Sequence, residues 1–72
     1  MKKVKDFGYA SILKFMGFKF LGLEWDGSTA YWLFEDDEYK AEDIIKSYVN
    51  GEIEGNIKKF VETQRTIKET LN

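Results

Sequence analysis

The sequence predicts a small α+β domain, and three observations predict it. An Asp26-Gly27 pair sits between two apolar runs, a strong local signal for a β-hairpin. The segments on either side of that hairpin carry apolar residues at helical spacing, with capping residues at their ends. The chain has 72 residues and no cysteine, so it is one domain whose core forms without disulfides. Helices gathered on a small antiparallel sheet are the architecture this order of elements gives.

Lys3 and Val4 stand in a short extended piece, which chain order leaves open between a third strand beside the hairpin and a loose end. Asp6 is the expected N-cap of a helix over about residues 7–16, because its carboxylate can accept free N–H groups of the first turn. Tyr9, Ile12, Leu13 and Met16 share one face of that helix. Gly17 falls where a left-handed residue closes a helix, with Phe18 as the apolar partner of a Schellman motif. Gly8 weakens the helix by about 1 kcal/mol against Ala, so a close backbone contact is expected there.

The hairpin strands are read as 18–25 and 29–35. By strict alternation, Leu21, Leu23 and Trp25 face one way, and Phe18, Phe20, Gly22 and Glu24 the other. On the return strand Tyr31 and Leu33 oppose Ala30, Trp32 and Phe34. Both faces are therefore apolar, and so few helices cannot easily cover both. One face is expected to meet another subunit or a partner, most simply in a homodimer.

A second helix is expected over 38–50. The acids Glu35, Asp36, Asp37 and Glu38 complement its N-terminal dipole, and Ala41, Ile44, Ile45, Tyr48 and Val49 form its stripe. Asn50-Gly51 ends it, and Ile53 lies in a short connector that is either a loop or a short strand. Asn56 caps a last helix over 56–71, with Ile57, Phe60, Val61, Gln64, Ile67 and Leu71 as its buried stripe.

Composition removes most chemistry. There is no His, the commonest general base and metal ligand, and no Cys to act as nucleophile or zinc ligand. Ser11, Ser28 and Ser47 have no His to activate them, and the six glycines are dispersed rather than gathered in a phosphate loop. The acids lack the spacing of a calcium loop. A non-enzymatic protein without cofactor or metal is expected. No secretory signal or apolar run of membrane-spanning length is visible, so a cytoplasmic location is expected, the host cytoplasm if the chain is phage-encoded.

Charge is unevenly distributed. Residues 1–20 carry +4, residues 21–54 carry −8 and residues 55–72 carry +2, for a net −2. The plain reading is that basic and acidic segments lie side by side in the fold. The functional reading is an acidic surface made by Glu35, Asp36, Asp37, Glu38, Glu42 and Asp43, meeting a basic partner. The core of a small domain without disulfides accounts for most of the six Phe, four Tyr and two Trp, two or three rings are expected to be partly exposed, and Trp25, Tyr31 and Trp32 are candidate aromatic anchors. Lys14 and Lys19 with the hairpin aromatics are candidates for holding a nucleotide between subunits of an oligomer. Lys58, Arg65 and Lys68 on the last helix are candidates for nucleic acid, although Glu62 and Glu69 alternate with them and the pI is near 5.1.

The stretch Asp6-Phe7-Gly8-Tyr9-Ala10-Ser11-Ile12-Leu13-Lys14-Phe15-Met16-Gly17-Phe18, the hairpin ending Trp32-Leu33-Phe34-Glu35-Asp36, the helix end Tyr48-Val49-Asn50-Gly51, and a last helix with Phe60, Arg65 and Lys68 carry a resemblance. Over nearly its whole length the chain resembles an uncharacterised family of small proteins of phages, prophages and Gram-positive bacteria. The resemblance implies a setting rather than a chemistry: accessory proteins of mobile elements, among which compact inhibitors of host defence complexes are common. The expected role is a binding protein that inhibits or modulates a host complex by occlusion, in its most concrete form an anti-CRISPR-like one. The alternatives are the nucleotide-binding sponge and a DNA-binding accessory regulator using the last helix.

Overall fold

A computed structural model describes residues 1–72. Its elements are β1 (Lys2–Val4), α1 (Phe7–Phe15), β2 (Phe20–Asp26), β3 (Thr29–Phe34), α2 (Ala41–Val49) and α3 (Ile57–Glu69). The strands form an antiparallel sheet in the order β1-β3-β2, so the N-terminal segment is a third strand. It pairs Lys2, Lys3 and Val4 with Phe34, Leu33 and Trp32. The fold is the small α+β architecture the sequence predicts.

The caps fall where the residues require. Asp6 accepts from the Tyr9 N–H at 3.0 Å, and Asn56 from the Lys59 N–H at 2.9 Å. At the end of α1 the Phe18 N–H reaches the Leu13 carbonyl and the Gly17 N–H the Lys14 carbonyl, the paired bonds of a Schellman motif, with Gly17 at φ 93°. The end of α2 repeats them, Glu52 to Ser47 and Gly51 to Tyr48. Gly8 has the expected close neighbour: a Cβ there would stand 3.1 Å from the Tyr48 hydroxyl.

The first hairpin strand runs 20–26 rather than 18–25, which moves the two-residue turn to Gly27-Ser28, and three larger differences from the sequence reading follow. First, α2 starts at Ala41 rather than near 38. The Asp36 carboxylate accepts from the N–H groups of Lys40 (2.8 Å) and Ala41 (3.1 Å), so residues 35–40 fold as a loop around it. Second, alternation along β2 is broken by a bulge between Phe20 and Gly22. Phe20 pairs with Phe34, Leu23 with Trp32 and Trp25 with Ala30, so Phe20 joins Leu23 and Trp25 on one face instead of opposing them. Gly22, at φ 130°, allows the backbone to make that turn. Third, the stripe of α3 is rotated: Ile67 is buried and Phe60 and Gln64 half-buried, while Ile57, Val61 and Leu71 are exposed. The connector holding Ile53 is a loop.

The core sits on one face of the sheet. Val4, Trp32 and Phe34 cluster there with Ala10 and Leu13 of α1, Ala41 and Ile45 of α2, and Ile67 of α3. α1 is the central helix, and its small residues Ala10 and Ser11 are completely buried. The opposite face carries Lys3, Leu33, Tyr31, Gly22 and Glu24, and no residue of the core cluster.

Candidate functional site

The acidic segment is built by the loop from β3 to α2. The Glu35 N–H bonds the Lys19 carbonyl at 2.9 Å, which ties this loop to the turn between α1 and β2. Between the two lies an open groove of about 320 Å³, lined by Met16, Phe18 and Lys19 on one side and Glu35, Asp36, Asp37 and Glu38 on the other. Inside the loop, Asp36 is occupied as the cap of α2. Glu38 pairs with Lys40 at 3.2 Å, and Glu42 pairs with Lys2 of β1. Glu35, Asp37 and Asp43 are exposed and have no ion pair. Of the six predicted acids, four line the groove and Glu42 and Asp43 stand in the first turn of α2, and three of the six hold structure or a lysine. They do not converge into a group able to hold a metal ion.

Part of the charge segregation is internal. Lys2 bonds Glu42, and Lys3 reaches Glu24 at 3.4 Å, so the basic N-terminus neutralises two acids of the middle segment. These pairs are largely exposed and contribute little to stability, about 0–1 kcal/mol each.

The three aromatic candidates separate. Trp32 is only 4% exposed, at the centre of the core, and its indole N–H donates to the Thr70 hydroxyl at 2.8 Å. It is a core residue, and its choice as a surface anchor is corrected. Packed among the helices of its own chain, Trp32 is not available to a dimer face. Tyr31 is half-buried beneath Lys3, whose ammonium stands 4.8 Å above the ring. Trp25 remains 57% exposed, close to the hairpin turn.

The basic candidates do not meet. Lys14 is exposed in the last turn of α1. Lys19 lines the groove that four carboxylates share, a setting that repels phosphate. Lys58, Arg65 and Lys68 are exposed on α3 with Glu62 and Glu69, so that face is mixed in sign.

Two features escaped the sequence reading. Tyr39 follows the acids, is 85% exposed, and has a backbone φ of 55°, uncommon for a residue with a Cβ. Its signal was the Asp36 side chain, which caps Ala41 and leaves residues 37–39 to turn. The second feature is an apolar recess of about 220 Å³ between α1, α2 and the start of α3, formed by Ile12, Phe15, Tyr48, Ile53, Ile57 and Phe60. Phe15 and Phe60 meet edge to face at 5.4 Å, and Tyr48 lies 6.3 Å from Phe60. Gly55 admits the Phe15 ring, since a Cβ there would stand 2.6 Å from it. Nothing local in the sequence signals that contact, because the two residues are far apart in the chain.

Fold and site together define a small α+β domain whose distinctive surfaces are recesses and charged loops rather than a set of reacting groups. The chain belongs to the family of the domain of unknown function DUF5659, whose model matches residues 2–72. Comparison with curated proteins and with solved structures returns no match. No helix is long and apolar enough to cross a membrane.

Proposed function

We propose that this protein is a non-enzymatic binding module that inhibits or modulates a partner protein complex by occupying a basic surface. One observation carries the reading. The groove beside the β3–α2 loop sets Met16 and Phe18 beside four acidic residues, of which Glu35 and Asp37 are free of an ion pair, with Tyr39 exposed on the same loop. Such a surface offers a basic partner apolar contact, paired charge and an aromatic ring for a cation. A phage or prophage setting, and an anti-CRISPR-like action in the host cytoplasm, are the concrete form of this proposal and rest on the resemblance of the sequence. The nucleotide-sponge and DNA-regulator alternatives draw less support, because Lys19 lies among acids and the α3 face is mixed in sign.

The test is affinity capture from a host lysate at low and moderate salt, comparing the wild type with Asp37→Lys/Glu38→Lys. Asp36 is left intact because it caps α2. A stoichiometric protein retained at low salt, released as salt rises, and lost with the double variant supports the reading. A partner held equally by the variant, or a nucleotide released on denaturation with no protein bound, overturns it.

A further inference from the structure

Asp26 and Asn50 are each followed by a glycine. A glycine has no side chain to shield its amide nitrogen, so that nitrogen can reach the side-chain carbonyl carbon of the residue before it and close a five-membered succinimide ring. The fold treats the two pairs differently. Asn50 ends α2, and the amides around it are engaged. Its own N–H bonds the Lys46 carbonyl at 3.0 Å, the Gly51 N–H the Tyr48 carbonyl at 3.0 Å, and the Glu52 N–H the Ser47 carbonyl at 2.9 Å. Turning the 50–51 peptide toward the Asn50 side chain would break the bonds that close the helix. Gly27, at φ 62°, is the first central residue of the hairpin turn, and Ser28, with a negative φ, is the second, a type II′ arrangement. Asp26 pairs with Thr29 across this turn, and the Gly27 N–H lies outside the ladder and makes no hydrogen bond. Residues 26–29 are all exposed, and nothing crowds the Gly27 backbone: a Cβ there would have no neighbour within 4 Å.

We propose that Asp26 is a modification site of the folded protein, converting slowly to isoaspartate through a succinimide formed with Gly27. The Gly27 nitrogen attacks Cγ of the protonated Asp26 carboxyl. The N–Cγ bond forms, the Cγ–OH bond breaks, and the hydroxyl leaves with the amide proton as water. A second water molecule then opens the ring. Opening at Cγ restores aspartate. Opening at the main-chain carbonyl carbon leaves the chain running through Cβ and Cγ, with the former main-chain carboxyl as the side chain. One water is lost and one gained, so the mass is unchanged and no oxidant or cofactor takes part. Ring closure requires the 26–27 peptide to rotate. Glycine takes either sign of φ, and the rotation disturbs only the last pair of the ladder, Asp26 with Thr29, at an exposed loop tip. The product adds an atom to the main chain beside a two-residue turn whose length fixes the register of β2 on β3. β2 is a border strand held by β3 alone, so its pairing is what loosens. Asn50 is spared for as long as the end of α2 stays folded, because its neighbouring amides are committed to the Schellman bonds.

Ageing the intact chain at 37 °C, folded in buffer and in parallel unfolded in guanidinium, tests this. Trypsin then separates the two pairs into the peptides 20–40 and 47–58. In the folded sample, peptide 20–40 is expected to split into two chromatographic species of equal mass. The new species should accept a methyl group from an isoaspartyl methyltransferase and resist cleavage before residue 26 by an Asp-specific protease. Peptide 47–58 is expected to keep its mass in the folded sample and to show the amide-to-acid gain only in the unfolded one. Asp26→Glu, which replaces an exposed side chain and would need a six-membered ring, is expected to abolish the second species of peptide 20–40. The proposal is overturned if peptide 20–40 of the folded protein stays single while the unfolded chain converts at Asn50. It is equally overturned if Asn50 converts faster than Asp26 in the folded protein, or if Asp26→Glu still gives the split.

Discussion

The two faces of the sheet are alike in sequence and unlike in the fold. The inner face carries Val4, Trp32, Phe34, Phe20 and Leu23, and all three helices send side chains onto it. The outer face carries Tyr31 and Leu33, and only the side chains of its own strands shelter them. There Lys3 reaches from β1 across the Tyr31 ring to Glu24 on β2, a polar roof over a narrow apolar strip. Alternation along β3 is equally hydrophobic in both directions. What separates the faces is the neighbours: aromatic and aliphatic partners on one side, and Lys3, Gly22 and Glu24 on the other. An apolar strand face therefore does not imply a missing partner when long charged side chains can lie over it.

Phe34→Ala tests the inner face most severely. The ring is completely buried, and its removal is expected to cost about 3–5 kcal/mol. In a domain of this size that approaches the whole stability. Urea titration followed by circular dichroism should find the variant largely unfolded in buffer. A cooperative transition near the wild-type midpoint would mean that Phe34 is not the centre of the core.

Gly22→Ala strikes the residue that sets which side chains face inward. A Cβ meets no neighbour there, so the cost is purely the backbone at φ 130°, about 1–3 kcal/mol. A neutral substitution would show that β2 forms without the bulge. Thr70→Ala removes the acceptor of the Trp32 indole N–H, with an expected loss of about 1 kcal/mol and a change in tryptophan emission. The smallest effect belongs to the outer face. Lys3→Ala should cost only about 0.2–1 kcal/mol, with the difference shrinking as salt is added. A loss matching that of Phe34→Ala would erase the distinction between the faces.

Much of the fold was legible because its signals are local. Asp6 and Asn56 cap the helices they precede, Gly17 and Gly51 close the helices they follow, and the hairpin turns at Gly27-Ser28, one residue past the Asp26-Gly27 signal. The errors came where a signal had two meanings or a cause lay far away. A run of acids suits either the first turn of a helix or the loop before it, and only the reach of Asp36 to Lys40 and Ala41 decides. The extra residue in β2 breaks the period of two, so strict alternation misplaced Phe20. With both faces of β3 apolar, nothing in its pattern showed Trp32 to be internal. The candidate site was legible as a charge density. Its partition into a capping acid, paired acids and free acids was not, because Lys2 and Glu42 meet across most of the chain.

The bulge in β2 has a consequence for solubility. β2 is an outermost strand of seven residues, Phe-Leu-Gly-Leu-Glu-Trp-Asp, and one row of its backbone groups has no neighbouring strand. A long, flat, apolar strand in that position is a template on which other chains stack into cross-β aggregates. The additional residue at Leu21-Gly22 kinks the strand and puts the row of donors and acceptors out of step. An intruding strand then finds matched groups over only part of the length. The irregularity that turns Phe20 into the core thus also protects the protein against self-association through its border strand.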